Sequence, residues 1–124
     1  MSAKQEAKQF AAHAVDLLQN VGPVYSKRMF GGFGVFLDGL MFGLIADNEL
    51  YLKVDQKNLP EFEAQGLQPF TYHKNGKPMN LSYYQAPEEA MDSMEVMTQW
   101  GARSFECALR AAAKKTKGKA KFGK

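Results

Sequence analysis

The sequence predicts an α+β fold: an antiparallel β-sheet meander with an N-terminal helix and a long C-terminal helix packed on it. Three observations carry that expectation. Apolar residues near the N-terminus recur at helical spacing and stop at Gly22-Pro23. Residues 24–54 are rich in Val, Ile, Phe, Tyr and Leu and are cut by Asp38-Gly39, a hairpin dipeptide. Beyond residue 92 helical spacing returns and runs into the alanines at 111–113.

The first helix is expected over residues 4–21, where Phe10, Ala14, Leu17, Leu18 and Val21 form one apolar stripe. Gly22 suits a C-cap, and Pro23 cannot continue a helix. Strands are expected at 24–30, 33–37, 40–46 and 50–54. A type I′ turn at Asp38-Gly39 pairs Leu37 with Leu40 and Val35 with Phe42. A second two-residue turn at Asp47-Asn48 sets Ile45 against Leu50 and Phe42 against Lys53.

By strict alternation one sheet face carries Phe33, Val35, Leu37, Leu40, Phe42 and Leu44. The other carries Phe36, Met41, Ile45, Leu50, Leu52 and Val54. A sheet with one wet face should alternate apolar and polar residues, and this one is apolar on both. Either helices cover both sides, or a second copy of the chain covers one. With two long helices available, the expectation is a homodimer.

A short helix is expected over 56–65, with Asp55 as N-cap and Gly66 as terminator. Residues 69–73 and 78–84 form a second hairpin around Asn75-Gly76. Pro87, Glu88 and Glu89 suit a helix start. Asp92 and Glu95 have capping-box spacing and open the last helix. Its inner stripe is Met94, Met97, Gly101, Phe105, Ala108 and Ala112, with Trp100 and Leu109 beside it.

The charge is divided. The 124 residues hold 16 Lys and Arg against 13 Asp and Glu, a net of +3. Six of the lysines (Lys114, Lys115, Lys117, Lys119, Lys121 and Lys124) lie in the last eleven residues, which hold no acid. Residues 1–113 are therefore net −3. The expected division is a folded domain over 1–113 and a disordered Lys-rich tail over 114–124. The tail's six charges attract nucleic acid without reading its sequence, or serve only as a soluble end. The single Cys107 makes no internal disulfide, which points to a reducing compartment. Neither a secretory h-region nor a membrane span is visible, so the expected location is the cytoplasm.

No motif supplies catalytic chemistry. Gly31, Gly32 and Gly34 precede a strand, whereas a phosphate loop precedes a helix N-terminus. His13 and His73 are sixty residues apart, and no spacing suits a metal or a bound cofactor. Cys107 has no adjacent His or basic cluster to activate it. Aromatic residues (Tyr25, Phe30, Phe33, Phe36, Phe42, Tyr51, Phe70, Tyr72, Tyr83, Tyr84) alternate with Lys27, Arg28, Lys53, Lys74 and Lys77. That mixture fits either a core or a stacking platform for single strands.

The run Arg28-Met29-Phe30-Gly31-Gly32-Phe33-Gly34, then Asp38-Gly39-Leu40-Met41-Phe42 and Leu50-Tyr51-Leu52-Lys53, resembles the N-terminal domain of the TfoX (Sxy) family. Pro69-Phe70-Thr71-Tyr72, Gly76-Lys77-Pro78-Met79, Tyr83-Tyr84 and Trp100 extend the likeness over roughly residues 10–112. The resemblance implies an α+β domain and a non-enzymatic regulator of DNA-transformation competence. Such a regulator is a transcriptional co-regulator that works with another, DNA-bound activator; the expected partners are that protein and a second copy of the chain, with nucleic acid a weaker, secondary contact. Full-length family members carry a second, helical domain, and here the lysine-rich end stands in its place. The alternatives are a non-specific nucleic-acid binder acting through the tail, and a small ligand-binding or enzymatic domain.

Overall fold

The computed structural model describes residues 2–29 and 31–122, the side chains of Met79, Asn80 and residues 116–122 excepted. Helix α1 spans Ala3–Leu17, and the Ser2 hydroxyl accepts from the Gln5 amide at its start. The helix closes before the end of the apolar spacing, and Leu18–Val21 continue as turn. Four strands follow: β1 Tyr25–Met29, β2 Gly32–Leu37, β3 Leu40–Ala46 and β4 Glu49–Lys53. Then come α2 Leu59–Ala64, β5 Pro69–Lys74, β6 Lys77–Gln85, a 3-10 turn at Glu88–Asp92, and α3 Met94–Phe122.

The six strands form one antiparallel sheet in the order β1-β2-β3-β4-β6-β5. Both turns of the meander are left-handed at two residues, Asp38 and Gly39 (φ 52° and 77°) and Asp47 and Asn48 (51° and 58°). The second turn pairs Ile45 with Leu50 as its length requires.

One pairing differs from strict alternation. Leu37 faces Leu40 and Phe36 faces Met41, but Val35 faces Gly43 rather than Phe42. Phe42 is a bulge, one residue extra in β3. The bulge resets the phase of the strand, so Phe42 and Ile45 both reach the core while Leu44 turns away. The register then puts Leu50 and Leu52 beside Ile45 and Gly43, on the same face as Phe33 and Val35. The two faces are thus composed differently from the expectation, and the pleat past residue 42 is inverted.

All the described helices lie on that one face. Trp100, on α3, meets the Phe62 ring of α2 edge-on at 4.8 Å, and Phe105 of α3 meets Phe42 of β3 edge-on at 5.5 Å. Helix α1 crosses α3 where Gly101 faces Leu18; a Cβ at 101 would overlap the Leu18 side chain. Met97, Trp100, Cys107 and Ala108 are the buried row of α3, whereas Met94 and Leu109 are exposed. The expected stripe runs about one turn beyond the buried row at each end and omits Ser104 and Cys107, which a 3.6-residue period brings onto one line with 97, 100 and 108.

Two caps and the extent of one helix differ in detail. Ser93, not Asp92, caps α3: its hydroxyl accepts from the Val96 amide. Asn58, not Asp55, precedes α2, which is shorter than expected. The Asn58 amide is used to fasten the chain after β4, donating to the Lys53 carbonyl while its oxygen accepts from the Asp55 amide. Finally, α3 runs on through the lysine-rich segment to Phe122, where the composition predicts no ordered element. Ala111–Ala113 and the lysines are good helix formers, and nothing before Gly118 interrupts them. No helix among the described residues is long and apolar enough to cross a membrane.

Candidate interaction surface

Strand register assigns the described side chains of the sheet to a face. Opposite the helices lie Tyr25 of β1, Phe36 of β2, Met41 and Leu44 of β3, Tyr51 of β4, Phe70 and Tyr72 of β5, and Tyr83 of β6. No described helix packs over them. The rings interlock along the face. Tyr25 stacks on Phe36 at 5.7 Å and 14°, Tyr51 meets Phe70 edge-on at 5.0 Å, and Phe70 stacks on Tyr72 at 6.4 Å and 19°. Tyr25, Tyr72 and Leu81 are among the most exposed large side chains of the described residues.

Lysines stand among these rings. Lys27 Nζ lies 5.3 Å from the Phe36 ring centre, and Lys53 Nζ lies 5.2 Å from that of Tyr83. Gly34 lies beneath Met29, Phe36 and Met41, where a Cβ would press on the Met29 sulfur and the Phe36 ring. Burial pushes the Tyr83 phenol up to about 12, and burial with the nearby Glu49 and Asp47 raises that of Tyr51. Both phenols are therefore neutral at physiological pH.

The signature residues divide between the two faces. Leu50 and Leu52 are core, Tyr51 and Lys53 belong to the open face, and Asp38-Gly39 make the turn. Gly31 lies in the β1–β2 connection and Gly32 opens β2 opposite Met29. Arg28 sits on the helix side, its guanidinium 5.7 Å from the Phe33 ring centre. A cleft of about 380 Å³ lies there, between the start of α1 and the β1–β2 and β3–β4 connections. Phe30 lies outside the described residues. Of the lysine-rich end, Lys114 and Lys115 are exposed, the side chains of Lys117, Lys119 and Lys121 are not described, and Lys124 lies outside the described residues.

The polar groups away from this face hold the fold. Asp55 accepts from Arg110 Nε at 2.7 Å, from its Nη2 at 3.0 Å, and from the Lys57 amide at 2.9 Å. The Arg110 bonds hold the Asp55 carboxyl well below the usual range. Arg110 Nη2 also reaches Cys107 Sγ at 3.2 Å, yet burial dominates and pushes the thiol up to about 11. Cys107 is thus a thiol rather than a thiolate at neutral pH. His13 donates from Nε2 to the Met91 carbonyl at 2.9 Å, tying α1 to the 3-10 turn. Among the described residues no three His, Cys, Asp or Glu side chains are grouped to hold a metal.

The pair Asp55–Arg110 had no local signal, because 55 residues separate the partners. The open face had a partial one. Its rings and lysines stand out in the sequence, but only the register separates them from Phe33, Phe42 and Tyr84, which turn to the core.

The family model for the TfoX N-terminal domain matches residues 16–108. Protein Sxy of Escherichia coli K12 is 23% identical over 95 residues, which is 77% of this chain and 46% of that protein. The DNA transformation protein TfoX1 of Aliivibrio fischeri is 27% identical over 73 residues, 59% of this chain and 35% of the relative. The chain spans less than half the length of either relative.

Proposed function

We propose a regulatory role from one premise: this chain belongs to the TfoX N-terminal domain family. It is a non-enzymatic module and a transcriptional co-regulator, working in the cytoplasm through contact with another macromolecule. One observation carries this reading: the sheet is covered by helices on one face and carries exposed rings and lysines on the other. Contiguous exposed apolar surface of that kind serves contact with a large partner. The relative TfoX1 is a DNA transformation protein, which fits a role in regulating competence. Three groups that could do chemistry are engaged in holding the fold: Asp55 and Arg110 bind each other, and burial keeps Cys107 a thiol.

The test is genetic. Deleting the gene in its own bacterium should lower a defined set of transcripts, and expressing the chain from a plasmid should restore them. Transcript profiles that are identical with and without the chain, while the protein is demonstrably expressed, would refute the regulatory reading.

A further inference from the structure

We infer that the open face of the sheet is a binding platform for single-stranded nucleic acid. This names a ligand for the surface on which the regulatory reading rests, and it is tested in vitro, so either idea survives failure of the other.

The first argument is geometric. Rings from five of the six strands share the face, and the two parallel pairs stand toward its opposite edges. In each pair one member is open to solvent: Tyr25 is 38% exposed and Tyr72 is 36% exposed. Their strands are the two edges of the sheet, and with strands ~4.8 Å apart they stand about 24 Å from each other. An extended strand of several nucleotides spans that distance. Each exposed ring offers one flat surface to a base, and stacking of this kind tolerates any base.

The second argument is charge. The register puts Lys27, Lys53, Lys74 and Lys77 on this face. The acid that shares it, Glu49, is engaged by the Gln85 side-chain amide at 3.0 Å. Asp38 stands in the turn at one end of the strands, and Asp47, in the turn at the other end, lies near the Tyr51 phenol. Among the described residues the ion pairs are Arg103–Glu61 and Arg110–Asp55, neither on this face. A domain that is net −3 over residues 1–113 thus gathers positive charge where its rings are exposed. Phosphates beside stacked bases complement that pattern. A second copy docked on the same face complements it less well, because a two-fold contact is self-complementary and brings the lysine rows together.

The experiment uses the full chain and fluorescence anisotropy with labelled oligothymidylate and oligouridylate of about 15 nucleotides, and a duplex of the same length. Both single strands should bind more tightly than the duplex, and the tighter of the two tells DNA from RNA. Replacing Tyr25→Ala together with Tyr72→Ala should weaken binding at least about 10-fold. Lys27→Gln with Lys53→Gln should flatten the dependence of log K on log salt by about 1.4, roughly 0.7 for each phosphate no longer neutralised. Circular dichroism melting should show each variant folded. Three results would overturn the inference. One is absence of single-strand binding. Another is binding that neither pair of substitutions changes, which assigns the attraction to the lysine-rich end. The last is a dimer, seen by light scattering, that the tyrosine pair dissolves.

Discussion

The two faces of the sheet are built from the same strands and are both rich in apolar atoms, yet they are different materials. On the helix side the strands present Val35, Leu37, Ile45, Leu50 and Leu52, all almost fully buried, with aromatic rings meeting edge-on between layers. On the open side the apolar residues are chiefly aromatic, half-exposed, stacked along the sheet rather than into a second layer, and mixed with lysine. Aliphatic side chains gain by being enclosed at interior density. Aromatic rings beside lysine stems tolerate water on one side and keep a flat surface available. The difference teaches that apolar content alone does not mark a core; the kind of apolar residue and its charged neighbours do.

That contrast can be broken from the covered side first. Phe62→Ala removes a ring packed edge-on against Trp100 and should cost about 3–5 kcal/mol in urea unfolding. Gly101→Val forces α1 away from α3 at Leu18 and should cost about 1–3 kcal/mol. Asp55→Asn leaves Arg110 with a weaker partner and should cost about 1–2 kcal/mol at neutral pH, given a site about one-third exposed.

The pH dependence of that last effect sharpens the reading. The folded Asp55 carboxyl is depressed, so the unfolded chain binds its proton more readily. The pair's contribution is complete above the unfolded value, about 3.9, and is lost as pH falls through the folded value. The gap in stability between Asp55→Asn and the parent should therefore narrow in urea titrations run at falling pH below about 4.

Smaller effects separate the faces further. The Ser104 hydroxyl is buried without a partner among the described residues. Ser104→Ala should leave stability unchanged or raise it by up to about 1 kcal/mol in the same titration. The smallest effect belongs to the open face, where Tyr25→Ala and Tyr72→Ala should each shift unfolding by less than about 0.5 kcal/mol. A destabilisation at Tyr25 as large as that at Phe62 would mean the open face is core after all.

Much of this fold was legible because its signals are local. Asp38-Gly39 and Asp47-Asn48 set the turns through the residues' own tolerance of positive φ, and the strands and first helix follow from apolar spacing. The misses come where a distant partner decides. Spacing alone could not place the bulge at Phe42, where the extra residue sets Phe42 against the Phe105 ring and turns Ile45 into the core. Ser93 took the cap expected of Asp92 after a 3-10 turn ended one residue earlier. The candidate surface was half legible: its rings and lysines were visible, but not their separation from the core rings.

By itself the sequence determined the class of the fold, the turns, the strand order of the meander and the kinship of the chain, because each rests on neighbours within a few residues or on a continuous motif. Only the tertiary structure decided which apolar residues form the core. One extra residue in β3 inverts the pleat beyond it, and helices gathered on a single side leave the opposite rings and lysines facing water. A period-two pattern fixes which residues lie together only as far as the next bulge, and it does not fix which side is covered; both are decided by packing between segments far apart in the chain.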